Sequence, residues 1–299
     1  MTFHSNSPIG IFDSGVGGIS VLRAIGEQMP EESVIYFGDQ GHIPYGRRLT
    51  EQIRNFSEAI TNFLLEHDAK IIVVACNTAS AAALKYLREK FPDVQFVGME
   101  PAVKPAAEHT QTGKVGVLAT PATFQGALYA SVVERFASGV ELFQNTCPGL
   151  VQQIEQGNLN GEETRRILED ALLPMLEKNI DTVVLGCTHY PFVIPLIQQI
   201  VGENVQVIDP APAVAKQTRR LLEANGMRNR SESKGEVKFY TSGDPIALKS
   251  MLPILLEDSG EVERVEWLSD SVIAPPYRAR NDELQSPGEH HAENRDDYP

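Results

Sequence analysis

An internal repeat constrains the fold of this 299-residue chain more than any single motif. Three short segments recur in the same order in its two halves. The pairs are 9–14 (IGIFDS) with 115–120 (VGVLAT), 34–37 (VIYF) with 140–143 (VELF), and 73–78 (VVACNT) with 184–189 (VLGCTH). Self-similarity of this kind indicates repeated structural units. We therefore predict two similar halves related by a pseudo-twofold axis.

Short runs of β-branched residues alternate with amphipathic segments such as 51–66 and 161–177. The predicted strands are 9–12, 34–37, 71–75, 94–98, 115–119, 140–143, 182–185, 205–208 and 237–240. Apolar strands separated by helices indicate parallel sheets covered on both faces. The expected fold is α/β, with two pseudo-symmetric, doubly wound, flavodoxin-like domains and an active site in the cleft between them.

The repeat also predicts domain bounds. Residues 1–99 and 210–277 form a discontinuous first domain, and residues 100–209 form the second. The acidic stretch 278–299 has almost no large apolar residue and is predicted to be a disordered tail. Its adjacent His290 and His291 are given no role.

Composition excludes some functions. The formal net charge of −14 argues against a nucleic-acid partner, because such surfaces cluster Lys and Arg against phosphates. No run approaches the about 18 apolar residues of a membrane span, and residues 1–8 lack the apolar stretch of a secretory signal. We expect a cytoplasmic protein without a membrane partner. Its three cysteines are expected to be free thiols.

Two of these cysteines, Cys76 and Cys187, occupy equivalent strand ends in the repeat. Ligands of open α/β sheets bind beyond the carboxyl ends of the strands, so both thiols should approach one cleft from opposite sides. A thiol at a helix N-terminus is expected to have a lowered pKa. Either cysteine alone would be interpreted as a packing residue, and this interpretation is kept for Cys147, which has no partner in the repeat.

Two opposed thiols suit one kind of reaction in particular. Inversion of a stereocentre by proton transfer needs a base on one face of a carbon and an acid on the other. The symmetry of the cysteines therefore predicts a racemase.

Other polar residues surround these strand ends. The run 13–18 (DSGVGG) predicts a tight strand-to-helix turn or a close backbone approach to a small anion. His189 could assist Cys187, whereas Glu155 by itself would be interpreted as a solvated helix charge. Asp13, paired with Ser14 in the run 13–18, could orient a substrate ammonium or modulate a nearby thiol. Tyr45 and Gly46 lie in a Gly- and Pro-rich loop that could be a simple turn. Four further residues could hold carboxylates or cap helices: Asn77, Thr78, Thr120 and Thr188.

Four runs together resemble the motifs of the glutamate racemases, in the aspartate/glutamate racemase superfamily. They are 12–18 (FDSGVGG), 44–46 (PYG), 75–79 (ACNTA) and 186–191 (GCTHYP). The resemblance extends from about residue 8 to residue 277 and implies interconversion of L- and D-glutamate, which supplies D-glutamate for peptidoglycan.

The resemblance also implies roles. Cys76 and Cys187 would exchange the α-proton, with Cys76 acting on D-glutamate, and Asp13, His189 and Glu155 would assist. No pyridoxal phosphate, other cofactor or metal is implied, and a homodimer is expected. The substrate-binding positions would be Asp13, Ser14, Tyr45, Gly46, Asn77, Thr78, Thr120, Thr188 and His189.

Three alternatives remain open at this point. The chain could racemise another small substrate, such as aspartate or a hydantoin. It could bind a small anion without catalysis, with the cysteines as packing residues. A thiol redox protein is disfavoured because there is no Cys-x-x-Cys and the two cysteines come from separate halves.

Overall fold

The computed structural model describes residues 4–256, 259–269 and 272–273. The strands are β1 (Ile9–Asp13), β2 (Val34–Gly38), β3 (Ile71–Val74), β4 (Phe96–Gly98), β5 (Lys114–Ala119), β6 (Glu141–Asn145), β7 (Thr182–Gly186), β8 (Gln206–Ile208), β9 (Val237–Thr241), β10 (Val262–Arg264), β11 (Trp267–Ser269) and β12 (Val272–Ile273). The predicted acidic tail, with His290 and His291, lies outside the described residues.

Helices connect most of these strands, as the amphipathic segments predict. They are α1 (Ile19–Gln28), α2 (Thr50–Glu66), α3 (Asn77–Lys90), α4 (Val103–His109), α5 (Pro121–Gln125), α6 (Ala127–Phe136), α7 (Leu150–Glu155), α8 (Glu162–Leu176), α9 (Ile194–Val201), α10 (Ala211–Ala224) and α11 (Pro245–Leu255). Short 3-10 helices lie at Gln40–His42, Tyr45–Arg47 and Tyr190–Val193.

The described residues form two parallel sheets and a two-stranded antiparallel sheet of β11 and β12. The large sheet has the strand order β10-β9-β2-β1-β3-β4, and the small sheet has the order β6-β5-β7-β8. The chain enters the small sheet after β4 and returns after β8, because β9 pairs with β2. This path agrees with a discontinuous first half, while the exact domain bounds stay a prediction.

The repeat is visible in the order β2-β1-β3-β4, which matches β6-β5-β7-β8. Ile9 pairs with Ile71 in the large sheet, and Val115 pairs with Thr182 in the small sheet. Cys76 therefore follows Ile71 by the same number of residues as Cys187 follows Thr182, so the two cysteines occupy equivalent positions. The alignment of the second pair was wrong by two residues, because Ile9 pairs with Val34 whereas Val115 pairs with Leu142 rather than Val140.

One apolar core joins the two sheets. On the large sheet, alternate residues such as Ile11 and Val73 face this core, while Phe12 and Val74 face the core beneath α2 and α3. Leu118 and Leu185 of the small sheet belong to the same core as Ile11. Because this core is continuous, the facing strand ends of the two sheets are held in a fixed relation.

Within the described ranges, every helix is too short or too polar to cross a membrane.

Candidate active site

The loop between β1 and α1 is folded around the carboxylate of Asp13. This side chain is fully buried, and its Oδ2 accepts hydrogen bonds from the backbone N–H groups of Gly18, at 3.0 Å, and Gly15, at 3.3 Å. Burial raises the pKa of Asp13 above its ordinary value, although the nearby His189 acts in the opposite direction. The loop thus places a carboxyl group at the end of β1, beside the equivalent ends of β2 and β3.

Cys76 lies at the end of β3 and caps the N-terminus of α3. Its Sγ accepts a hydrogen bond from the backbone N–H of Ala79 at 3.5 Å and lies 3.7 Å from Ser14 Oγ. Ser14 Oγ in turn lies 3.5 Å from Asp13 Oδ1. The first thiol is therefore connected to the buried carboxyl group through one hydroxyl.

The expected lowering of the Cys76 pKa was wrong. Burial and the negative charge of Asp13 raise the pKa of this thiol well above its ordinary value, and they outweigh the hydrogen bonds from Ala79 and with Ser14. The helix N-terminus stabilises the thiolate of Cys76, but desolvation and the neighbouring carboxylate destabilise it by more. Without a ligand, Cys76 is a protonated thiol.

Cys187 lies at the end of β7 with an imidazole beside it. Its Sγ is 3.8 Å from Nδ1 of His189, and Nε2 of His189 is 2.6 Å from Oε1 of Glu155. The helix that follows Cys187 begins as the 3-10 helix Tyr190–Val193, whose N-cap is His189, so Cys187 does not cap a helix as Cys76 does. An imidazole paired with a carboxylate lies beside the second thiol instead.

His189 and Glu155 form an ion pair between a buried imidazole and a partly buried carboxylate. Burial alone would lower the pKa of His189, but its contacts with Cys187 and Glu155 raise that pKa well above the ordinary value. Burial alone would raise the pKa of Glu155. The hydrogen bonds that Glu155 accepts from His189, Val16 and Gln40 lower this pKa by more, so the net shift is downward. Both groups are therefore charged at neutral pH, and Glu155 is not the solvated charge that its helix position alone indicated.

Glu155 also connects the two halves. The backbone N–H of Val16, in the glycine-rich loop, donates to its Oε1 at 2.9 Å, and Nε2 of Gln40 lies 3.3 Å from its Oε2. A Cβ at Gly15 would lie 2.1 Å from Glu155 Oε1, and one at Gly17 would lie 2.5 Å from His189 Nδ1. Glycine at both positions therefore leaves room for side chains of the opposite half to pack against the loop backbone. The sequence predicted such a close approach for a small anion and not for these side chains.

The loop that carries Tyr45 packs near the first thiol. Tyr45 is buried and its hydroxyl donates to Oδ2 of Asp39 at 2.5 Å. Burial and Asp39 raise the pKa of Tyr45 well above its ordinary value, and Cys76 and Asp13 contribute to the same shift. The neighbouring Gly46 is exposed, with open space around the position of a Cβ.

The remaining predicted residues lie where the two halves face each other. The hydroxyls of Thr78 and Thr120 are 3.4 Å apart across the halves. Asn77 is buried with no hydrogen-bond partner for either side-chain polar atom. Thr188 is buried, and its carbonyl accepts from Ser20 Oγ of the opposite half at 3.0 Å. An unpaired buried amide is costly, so Asn77 is available for a polar ligand.

Sequence reasoning missed three groups that contact the predicted site residues: Asp39, Gln40 and the backbone N–H of Val16. Gln40 and Val16 reach Glu155 from positions far away along the chain, and Asp39 accepts a hydrogen bond from Tyr45. Within residues 4–256, 259–269 and 272–273, no three His, Cys, Asp or Glu side chains are grouped as metal ligands would be.

Comparisons with known proteins show the family of this chain. The sequence profile of the Asp/Glu/hydantoin racemases matches residues 9–218, which include both cysteines and every predicted site residue. The chain belongs to this racemase family. A glutamate racemase from Pseudomonas aeruginosa is 50% identical over 250 residues, which cover 84% of this chain and 94% of that protein.

Solved racemases share the whole fold. A glutamate racemase from Bacillus anthracis superposes with a TM-score of 0.80 at 32% identity, covering 90% of this chain and 100% of the other. The Escherichia coli glutamate racemase, solved with L-glutamate and the activator UDP-MurNAc-ala, superposes with a TM-score of 0.77 at 33% identity. That match covers 88% of this chain and 99% of the other. This racemase therefore has the two-sheet architecture of its relatives over nearly their full length.

Proposed function

We propose that this racemase interconverts L- and D-glutamate without a cofactor, using Cys76 and Cys187 as the two proton-transfer groups. One observation carries the proposal: the thiols occupy equivalent strand ends in two pseudo-symmetric sheets that share one core. Each thiol has its own assisting groups on its own side. The identity of the relatives supports glutamate as the substrate.

The proton transfers balance within the thiol pair. When D-glutamate binds, Cys76 releases its own proton to solvent; its thiolate then takes the α-proton, and the C–H electron pair stays on the substrate as a carbanion. Cys187 then gives its proton to the opposite face, which yields L-glutamate with Cys76 as thiol and Cys187 as thiolate. The L-to-D direction reverses these steps. This general acid–base chemistry needs no further reactant.

The assisting groups adjust the two thiols differently. Cys76 is protonated without substrate, so the substrate ammonium, placed beside Asp13, is proposed to stabilise its thiolate by supplying the missing positive charge. At the other thiol, the imidazolium of His189, held by Glu155, stabilises the thiolate of Cys187 and can return a proton.

Substrate binding is assigned to polar groups that face the cleft or flank it. Asn77 has its amide unpaired, and the hydroxyls of Thr78 and Thr120 lie together across the halves, so these groups are suited to the substrate carboxylates. Backbone and side-chain donors there also stabilise the carbanion, whose charge spreads onto the α-carboxylate. Ser14, Tyr45, Gly46, Thr188 and His189 complete the proposed binding set.

The wider role follows from this activity. Such an enzyme would supply D-glutamate for peptidoglycan, and we propose that it works in the cytoplasm as a homodimer. Sedimentation of the purified protein would test the dimer.

Deuterium incorporation tests the proposed activity. Purified protein is incubated with L-glutamate, and separately with D-glutamate, in deuterated water without added cofactor. We expect the opposite enantiomer to form with deuterium at the α-carbon. Absence of α-deuterium from both products would refute racemisation, and faster turnover of aspartate under the same conditions would assign another substrate.

A further inference from the structure

Gln40 connects the end of β9 to the assisting pair of the second thiol. Its Nε2 lies 3.3 Å from Oε2 of Glu155, and its Oε1 accepts a hydrogen bond from Oγ1 of Thr241 at 3.1 Å. Because a glutamine amide has both a donor and an acceptor end, it can link a fixed hydroxyl to a carboxylate. A continuous series of contacts then runs through Glu155 and His189 to Cys187.

The segment behind Gln40 is closely held. Thr241 is fully buried, and its hydroxyl also lies 3.0 Å from the carbonyl of Gly38 and accepts from the backbone N–H of Gly243 at 3.0 Å. A Cβ on Gly243 would lie 2.8 Å from Cβ of Gln40. Glycine at this position therefore allows Gln40 to pack directly on the turn after β9.

The same turn supports the loop of Tyr45. Ser242 Oγ lies 2.6 Å from Oδ1 of Asp39, whose Oδ2 accepts from Tyr45, and the backbone N–H of Gly41 donates to Ser242 Oγ at 2.9 Å. Asp39 is thus directed to the first thiol's side of the cleft, and its neighbour Gln40 to the second thiol's side. This difference predicts that loss of Gln40 affects one proton transfer selectively.

We infer that Gln40 is a positioning residue for the proton transfer at Cys187, acting through Glu155 and His189. The inference rests on the proposed racemisation. Oε1 of Glu155 is contacted by His189 and by the backbone N–H of Val16, and Gln40 is the donor that holds the other oxygen, Oε2. Gln40 therefore restrains rotation of the carboxylate away from the imidazole. A misplacement of about 1 Å in such a support can slow a reaction by up to about 100-fold.

The variant Gln40→Met tests this inference, because methionine has a similar length and makes neither hydrogen bond. Gln40 is only partly buried, so the variant should fold, which circular dichroism and urea unfolding would check. We expect kcat/KM to fall by about 10- to 100-fold in both directions. Thr241→Val, which removes the hydroxyl that holds Gln40, should cause a smaller loss of the same kind.

Isotope effects locate the affected step. In the L-to-D direction the α-deuterium is removed by Cys187, and in the D-to-L direction by Cys76. If Gln40→Met slows the transfer at Cys187, the α-deuterium isotope effect on kcat/KM should rise with L-glutamate and fall with D-glutamate, relative to the parent protein. Ser14→Ala, on the Cys76 side, should produce the opposite change.

Gln28→Met is the matched control, because Gln28 makes its hydrogen bond to Pro212 at the far end of α1. It should leave kcat/KM and both isotope effects unchanged. A fall in activity of Gln40→Met without redistribution of the isotope effects, or no fall at all, would overturn the positioning role. Failure of the parent protein to racemise glutamate would instead refute the proposed function.

Discussion

At the scale of single residues, the two halves have kept their cysteines but surround them differently. Cys76 lies against a hydroxyl and a buried carboxyl group, whereas Cys187 lies against an imidazole that is paired with a carboxylate. Cys147, also buried, has its pKa raised to about 12 by burial and by the charge of Cys187. It is therefore a packing thiol.

Replacement of either proposed catalytic thiol should abolish racemisation. Cys76→Ser and Cys187→Ser each leave a hydroxyl that is a far weaker acid than a thiol, so one of the two proton transfers fails in both directions. Chiral chromatography of the product measures the loss. Cys147→Ala is the matched control and should keep its turnover, with a cost of about 1 kcal/mol in unfolding free energy. Normal turnover of either serine variant would contradict the two-thiol mechanism.

The ion pair of His189 and Glu155 predicts a pH window for stability. The pKa of His189 is raised in the folded protein. The contribution of His189 to the unfolding free energy is therefore complete below the ordinary pKa of 6.5, and it is lost as pH rises through the higher folded pKa. The pKa of Glu155 is lowered in the folded protein. The contribution of Glu155 to the unfolding free energy is therefore complete above the ordinary pKa of 4.5, and it is lost as pH falls through the lower folded pKa.

Glu155→Gln should therefore destabilise the protein most between these two values. We expect a loss of about 3 kcal/mol in unfolding free energy near about pH 5.5, because one partner of the ion pair is removed, and this loss should shrink as pH rises through the raised folded pKa of His189. Urea unfolding over a series of increasing pH values measures it. A loss that stays constant over the whole range in which the parent protein folds would show that the carboxylate acts only by packing.

At the scale of elements, the glycine-rich loop before α1 serves as a contact surface for the opposite half. Gly17 lies against His189 and Thr188, where a Cβ would be 2.5 and 2.6 Å from their side-chain atoms. Gly26, within α1, has open space around its Cβ position. These two glycines offer a matched test of close approach.

Gly17→Ala should separate the loop from His189. We expect kcat/KM to fall by up to about 100-fold and unfolding free energy to fall by about 1–3 kcal/mol, because the added methyl overpacks the contact. Gly26→Ala should keep full activity and gain about 0.5–1 kcal/mol from the helix propensity of alanine. Steady-state kinetics and urea unfolding measure both. Full activity of the Gly17 variant would show that the halves separate without cost.

Elements were largely predictable from the sequence, whereas contacts between them were not. Apolar runs located the strands, and the repeated Cys-Asn-Thr and Cys-Thr-His runs located both thiols. The alignment of β6 was wrong because its similarity to β2 is only a short apolar pattern. Gln40 was missed because its partners lie in α7 and β9, and no local pattern records such a contact. The Cys76 pKa depends on burial, which a strand-end position does not reveal.

At the scale of the whole molecule, the proposed site lies where two sheets with a common core bring their strand ends together. A ligand held by Thr78 from one half and Thr120 from the other would tie the halves to each other. Binding at such a junction stabilises the folded state, because the unfolded chain has no site.

Glutamate should therefore raise the unfolding free energy of the whole chain. Cys76→Ser prevents conversion and allows each enantiomer to be tested separately. At about 100 times the dissociation constant, either enantiomer should add about 2.7 kcal/mol. Urea unfolding with and without ligand measures it, with glycine as the control that lacks the side-chain carboxylate. Equal stabilisation by glycine would show that the cleft does not recognise that carboxylate.

Mirror symmetry limits what the different surroundings of the two thiols can achieve. L- and D-glutamate have the same free energy in water, so their equilibrium ratio is unity whatever residues stand beside Cys76 and Cys187. The asymmetry can change how long each enantiomer occupies the site, but it cannot make one accumulate. Net production of D-glutamate would therefore be driven by the reactions that consume it.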